Sequence, residues 1–267
     1  MNGSVRVDVE GRVARVLIDR AAARNALNPD VLGGLDAAVD TALEARCGVF
    51  VLRGAGGTLS AGADLAHLRT LLRDEAAMTG YITSIGAVLD RIEAAPFVSV
   101  AVVNGYALAG GLEILLTCDL AVAAEDARIG DRHLGYGLLP GAGSSVRLPR
   151  VLPGPQARRL LYTGEVIDGA TAAAWGLVSH SFPADRLDGA VDALVARLAR
   201  HSPAALVGMK AMYRAGRETP AAEALAAERA ALITHLGSPT VAEGLAAFVE
   251  RRPPDFSGDR FLPEEIQ

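Results

Sequence analysis

The sequence predicts an α/β fold in which strands alternate with helices around a mostly parallel sheet. Three observations predict it. Short β-rich runs recur at 13–18, 48–54 and 97–103, each followed by a stretch of helical period, and strands joined through helices favour parallel neighbours. The run FVSVAVV at 97–103 is apolar at nearly every position, as a strand covered on both faces requires. Hydrophobic residues make up 51% of the 267-residue chain and aromatics only 4%. That mixture suits closely packed small-residue interfaces, in one large domain or a domain with an appendage.

Taken in order, VRVDV (5–9) and VARVLI (13–18) flank Glu10-Gly11-Arg12 and read as a hairpin. Residues 20–28 have no period and form a loop. Asn28-Pro29 combines an N-cap residue with proline at the first helical position, so a helix runs from about Pro29 to Ala45 with Leu32, Leu35, Val39 and Leu43 on one face. A short buried strand, GVFVLRG (48–54), leads into a glycine-rich loop, 55–68, that passes into a helix. A further helix covers 80–94 and ends at Pro96, before the strand at 97–103. The chain then breaks at Asn104-Gly105 and resumes as an apolar helix after Gly110-Gly111. A strand over 119–130, helices at about 143–151, 155–162 and 168–175, and a strand-like LVSHSF (177–182) follow. From Ala184 the chain is Ala-rich with helical period over 184–200, 203–217, 220–236 and 239–251, punctuated by Pro203, Pro220 and Pro239. The boundary is set near residue 200: a core over 1–200, and a helical C-terminal region with an extended tail, 253–267, over 201–267. The small-residue faces of those helices suit helix packing or subunit contact.

A net charge of −5 argues against nucleic acid or an anionic membrane as the main partner. The run 97–118 is long enough to raise the question of a membrane span, but Asn104, three glycines and Glu113 interrupt it and no basic cluster flanks it. Cys47 and Cys118 stand in apolar contexts and read as free, buried thiols; with no signal peptide, the chain is expected in the cytoplasm. The five histidines (67, 133, 180, 201 and 235) are scattered without an HxxxH or CxxC pair, so no metal site is expected. No Walker loop, dinucleotide fingerprint or G-x-S-x-G elbow is present.

Three features can carry chemistry. SAGADL (60–65) lets a ligand approach the backbone and precedes a helix start with unpaired amides, although an ordinary tight loop has the same composition. Gly110-Gly111 marks another helix start; two such starts converging would aim two N–H donors at one oxygen, while close packing alone also explains the glycines. Glu113 is the one charge among Leu112, Ile114, Leu115 and Leu116. It is either an acid salt-bridged near a helix N-terminus or a group that does chemistry. With Glu113, as part of this third feature, goes the polar triplet Asp131-Arg132-His133, which interrupts a small and apolar region. His133 suits proton transfer near neutral pH or a surface loop, and Asp131 could orient it.

The blocks RNALN (24–28), SAGADL (60–65), NGYALAGGLEILLTCDLAVA (104–123), LPGAGSSVRLPR (139–150), TGEVIDGATAAAWGLVSH (163–180) and EGLAAFVERRPPDF (243–256) come in an order and spacing that resembles the crotonase superfamily, the enoyl-CoA hydratases and isomerases, over essentially the whole chain. The resemblance implies a spiral of β-β-α turns with a C-terminal helical region that mediates trimers, commonly paired into hexamers. It implies an acyl-CoA thioester substrate and no cofactor apart from the coenzyme A that the substrate carries. It makes the backbone N–H groups of Ala63 and Gly110 an oxyanion hole, and Glu113 the first catalytic glutamate. Coenzyme A would lie along Arg24, Ala26 and Leu27 and along Ala61, Asp64 and Leu65. One position departs: seven residues before Pro140, where hydratases of the family carry a second glutamate, this chain has His133. Hydration of a 2-enoyl-CoA is the leading expectation, with His133 as a replacement acid. A decarboxylase or hydrolase acting through Glu113, or a CoA-binding protein without turnover, are the alternatives.

Overall fold

The computed structural model describes residues 3–259. Its strands form two sheets, and the alternation of strands and helices carries the chain back and forth between them. The hairpin of β1 (Val5–Glu10) and β2 (Val13–Ile18) is antiparallel, with Glu10 opposite Val13. Helix α1 (Pro29–Glu44) starts as its sequence dictates: the Asn28 side chain accepts the Val31 N–H at 3.0 Å and Pro29 opens the first turn. Its buried face is Val31, Leu32, Leu35, Ala38, Val39 and Ala42.

From here the same unit recurs. β3 (Val49–Gly54) is followed by β4 (Thr58–Ser60) and by helices α2 (Leu65–Thr70) and α3 (Glu75–Ala94). β5 (Val98–Val103) is followed by β6 (Tyr106–Leu108) and α4 (Gly110–Thr117). β7 (Leu120–Ala124) is followed by β8 (Arg128–Gly130), then α5 (Ser144–Val151) and α6 (Gly154–Thr163). The first strand of each unit joins one sheet and the second joins the other. With β9 (Ile167–Asp168), α7 (Gly169–Trp175) and β10 (His180–Phe182), this gives a six-stranded sheet, β1-β2-β3-β5-β7-β10, and a four-stranded sheet, β4-β6-β8-β9. All neighbours after the hairpin in the larger sheet are parallel, and in the smaller one only β8 and β9 are antiparallel. Successive β-β-α turns therefore stack as a spiral.

The smaller sheet is what the sequence pattern does not reveal. β4, β6 and β9 are three, three and two residues long, too short for a period of two to show. The strand expected over 119–130 is two strands: the chain turns at Glu125, whose N–H bonds to the Phe182 carbonyl at 2.8 Å, and Ala127 closes a tight turn onto Ala124. The helix expected at 80–94 begins at Glu75, because the Asp74 side chain caps it through the Ala77 N–H at 2.9 Å. LVSHSF pairs as a strand only over 180–182.

Helix α8 (Ala184–Ala199) lays Leu187, Val191 and Val195 on the larger sheet. α9 (Pro203–Glu218), α10 (Ala221–Leu236) and α11 (Pro239–Glu250) follow. α9 is fixed to the core by an ion pair. The ammonium of Lys210, 9% exposed, lies 2.8 Å from Asp119 Oδ2 and donates to the Phe97 carbonyl at 2.9 Å. The same Asp119 oxygen accepts from the N–H and hydroxyl of Ser99 at 2.8 and 2.9 Å. Residues 253–259 are not helical, and the chain does not trail away: the Asp259 carboxylate accepts from Thr240 at 2.8 Å and from Ser202, and Arg12 donates to the Ser257 carbonyl at 2.7 Å. The rest of the expected tail, 260–267, lies outside the described residues. Among the described residues no helix is long and apolar enough to cross a membrane.

Removing one partner of a buried ion pair strands the other charge. Lys210→Ala is expected to cost roughly 3 kcal/mol of stability, read as a fall in the midpoint of chemical denaturation. A midpoint unchanged from the parent would show that Lys210 does not anchor α9.

Candidate active site

The site is built where two strand-to-helix turns meet. In the first, residues 24–27 lie alongside 61–64 and are joined by main-chain bonds: Ala61 N–H to the Arg24 carbonyl at 3.0 Å, Leu27 N–H to Gly62 at 2.8 Å, and Asp64 N–H to Leu27 at 3.2 Å. Leu27 and Ala63 thus form a parallel bridge, and the N–H of Ala63 points away from it. Asn25, fully buried at φ 53°, holds the turn open: its Oδ1 accepts from the Arg20 N–H and its Nδ2 donates to the Ala55 and Thr58 carbonyls. Asparagine tolerates that left-handed backbone better than most residues. From beneath, the Tyr81 hydroxyl donates to the Leu27 carbonyl and accepts from the Asp64 N–H at 3.0 Å.

The second turn brings β6 into α4. The N-terminus of α4 rests directly on the first turn: a Cβ on Gly62, which has φ +98°, would lie 2.8 Å from the Gly110 nitrogen, and a Cβ on Gly111 would lie 2.0 Å from the Ser60 carbonyl oxygen. Glycine is required at both positions by this approach. Ala109, which caps α4, takes φ 50°, ψ −115°, a conformation costing an L-residue about 1–3 kcal/mol. The outcome is that the amides of Ala63 and Gly110 sit side by side, and neither donates to another group of the described residues. Gly110 is at the first position of its helix, where no intrahelical acceptor exists.

Glu113 stands one turn further along α4, on a helix whose eight residues are all buried, and is itself 3% exposed. Its Oε1 accepts two backbone bonds, from Ala142 at 2.8 Å and from Ser144 at 3.1 Å. Those amides belong to the start of α5, where negative charge is favoured. Arg147 braces this segment: it donates to the Ala142 carbonyl at 2.7 Å and reaches Asp90 on α3 at 2.7 Å.

His133 opens a single 3-10 turn, His133–Tyr136, just after β8. Its Nε2 lies 3.9 Å from Glu113 Oε2, and its Nδ1 lies 2.9 Å from Asp131 Oδ1. Asp131 also accepts the His133 N–H at 3.1 Å, so one carboxylate oxygen fixes both the ring and the backbone of the histidine. With a carboxylate at Nδ1, that nitrogen carries the hydrogen and Nε2 faces Glu113. Burial pushes the imidazole pKa down, but the hydrogen bond to Asp131 and the charges of Asp131 and Glu113 outweigh it and hold it above its ordinary value. Burial pushes the Asp131 carboxyl up, yet the hydrogen bonds and the charge of His133 oppose it, and the carboxyl stays below its ordinary value. The arrangement can place a carboxylate and an imidazolium on one reacting group beside two free N–H donors.

The six residues expected along coenzyme A separate into two sets. Arg24 is exposed and makes no ion pair among the described residues; Leu65 is 41% exposed, and Ala26 and Ala61 are half-buried beside them. Leu27 and Asp64 are inward. Leu27 is fully buried with both backbone polar groups spent. The Asp64 carboxylate caps α2 through the Ala66 and His67 N–H groups and pairs with Arg20 at 2.7 Å. These two shape the wall from behind. Arg20, Asn25, Tyr81, Ala142, Ser144 and Arg147 were not legible as site residues; only Asn25 had a local signal, an Asn in a loop without period. Cys47 and Cys118 are free, and burial raises both thiols, Cys118 to about 12, so neither is a ready nucleophile. Among the described residues no group of three His, Cys, Asp or Glu is placed to hold a metal. Two surface cavities, about 610 Å³ between β10 and α8 and about 280 Å³ between β1 and α1, lie elsewhere.

Known proteins share this frame. A family profile described as enoyl-CoA hydratase/isomerase matches residues 8–259. The chain is 36% identical to a 2,3-dehydroadipyl-CoA hydratase of Escherichia coli, over 94% of this chain and 98% of that protein. It is 32% identical to the mitochondrial methylglutaconyl-CoA hydratase of Mus musculus, over 91% of this chain and 78% of that protein. The crystal structure of an enoyl-CoA hydratase from Bacillus anthracis superposes with a TM-score of 0.90 at 30% identity, covering 96% of this chain and 99% of that one. The chain therefore belongs to the enoyl-CoA hydratase/isomerase family and has the crotonase fold.

Proposed function

We propose that this acyl-CoA-processing enzyme of the enoyl-CoA hydratase type adds water across the double bond of a 2-enoyl-CoA, with Glu113 and His133 as its base and acid. The observation that carries the reading is the pair itself: Glu113 Oε2 and His133 Nε2 lie 3.9 Å apart, next to a pair of free amides. In this reading the thioester oxygen sits between the N–H groups of Ala63 and Gly110. Glu113 takes a proton from water as its oxygen attacks C3, and the electron pair moves to the thioester oxygen as an enolate. Two fixed donors stabilise that charge where it develops. The His133 imidazolium then gives its Nε2 proton to C2, leaving a 3-hydroxyacyl-CoA. A proton passing from Glu113 to His133 restores both groups. The exposed guanidinium of Arg24 suits a phosphate of coenzyme A, with Ala26, Ala61 and Leu65 along the same rim and Leu27 and Asp64 behind it. No cofactor takes part.

The C-terminal helices support a trimer, or a pair of trimers. α10 has no buried residue in 16, packs chiefly on α9 and α11, and with α11 exposes Leu232, Ile233, Leu236, Leu245, Phe248 and Val249. An apolar surface of this extent marks a protein contact. The two unpaired thiols suit the reducing cytoplasm.

Glu113→Gln keeps the shape of the site and removes the base, so crotonyl-CoA hydration, followed by loss of enoyl thioester absorbance, is expected to fall about 10²- to 10⁴-fold while acyl-CoA binding by calorimetry persists. A variant as fast as the parent would take Glu113 out of this role, and a parent that binds no acyl-CoA would end the reading.

A raised imidazole pKa makes the acid form persist above the ordinary histidine range. kcat is expected to fall as pH rises through that pKa, and His133→Ala should be slow and lack this limb of the profile. A parent profile flat from pH 6 to about 9, with histidine's ordinary value near 6.5, would contradict an imidazolium donor.

Sedimentation at micromolar concentration is expected to show trimers or hexamers. A monomer would contradict the interface assigned to α10 and α11.

A further inference from the structure

The structure leaves two polar atoms of the site unexplained by hydrogen bonds: Asp131 Oδ2 and Ser144 Oγ are both buried without a partner. Neither is peripheral. Ser144 is fully buried and its N–H already holds Glu113 Oε1 at 3.1 Å, while Asp131 Oδ1 already holds His133 Nδ1 at 2.9 Å. An orphaned carboxylate oxygen and an orphaned hydroxyl in one buried cluster each carry a desolvation cost that a single bond between them removes. A serine hydroxyl turns freely about its C–O bond and can donate wherever an acceptor lies. The Ser144 hydroxyl also lies near enough to Asp131 to favour its ionised form, against the upward push of burial.

We infer that Ser144 is a positioning residue that locks the acid and the base to each other: its N–H fixes Glu113, and its hydroxyl donates to Asp131 Oδ2 and through that carboxylate fixes the ring of His133. The bond sequence is then Ser144 Oγ–H to Asp131 to His133 Nδ1–H, with Nε2 free to face Glu113, whose other oxygen returns to the Ser144 amide. One residue at the start of α5 closes the loop, so a shift of α5 moves both proton-transfer groups together. This chain carries a histidine where the family resemblance expects a second glutamate, and an imidazole has to be aimed by a partner at its far nitrogen if the near one is to reach the reacting carbon. No step of the chemistry passes through Ser144 itself.

The test deletes the hydroxyl and keeps the amide. In Ser144→Ala, kcat for enoyl-CoA hydration is expected to drop about tenfold, the kinetic equivalent of one hydrogen bond, with KM unchanged within roughly twofold. The downfield proton resonance of His133 Nδ1–H, recorded without substrate and assigned by its loss in His133→Ala, is expected to move. Should the alanine methyl disturb folding, Ser144→Gly removes the same hydroxyl without placing a methyl against Asp131. Ser144→Thr, which returns a hydroxyl, is expected to restore the resonance. The kinetic arm rests on the hydration reading, but the resonance does not. A parent that hydrates no enoyl-CoA while the resonance shifts would overturn the reaction and leave the assignment of Ser144 standing. A parent that turns over, with neither kcat nor the resonance changed by losing the hydroxyl, would overturn the assignment.

Discussion

A carboxylate inside an apolar helix has to be held, and the way Glu113 is held organises this protein. On α4 every neighbour is buried, so the charge cannot reach solvent and water cannot screen it. The compensation comes from the amides of Ala142 and Ser144, at the beginning of the next α-helix along the chain. That single requirement ties α4 to α5, α5 to α3 through Arg147, and the loop between β8 and α5 to the spot where His133 can approach.

The same economy appears at the other half of the site. Main-chain bonds between 24–27 and 61–64, Asn25 in its left-handed turn and Tyr81 beneath them hold the Ala63 amide still. Glycines at 62 and 111 let α4 come close enough for Gly110 to stand beside it. Backbone donors fixed by a rigid scaffold need no reorganisation when charge develops on a bound oxygen, which is the usual source of their catalytic value. The strained backbone of Ala109 belongs to this picture: its cost is borne where the two turns must meet.

His133 gives the site its individual character. Where two carboxylates would divide the work of acid and base by competing for a proton, a carboxylate and an imidazolium attract one another and need no such competition. The cluster Glu113, His133 and Asp131 carries two acids on either side of one base, which favours the protonated ring. The C-terminal helices add a different kind of incompleteness. Their apolar side chains Leu232, Ile233, Leu236, Leu245, Phe248 and Val249 lie on the outside of the chain, where most of those of the spiral are turned inward.

Much of the fold is written locally. Asn28-Pro29, the apolar run 97–103 and the prolines at the starts of α9, α10 and α11 each encode their element through capping or covering, which are short-range effects. Glu113 could be noticed because one charge in an apolar stretch is conspicuous, and Ala63, Gly110 and His133 could be marked through the resemblance to a family. The strands of the smaller sheet could not be read, since two or three residues carry no periodicity and are strands only because a partner lies beside them. The support of the site was equally silent: Tyr81, Ser144 and Arg147 act over separations of 17, 31 and 57 residues. What the sequence alone determined, then, is the order of the helices and of the larger sheet's strands, and the presence of an unusual acid. Whether that acid faces a histidine, and which amides hold it, depended on long-range packing, because hydrogen-bond geometry is set by where the chain returns and not by what stands next to it.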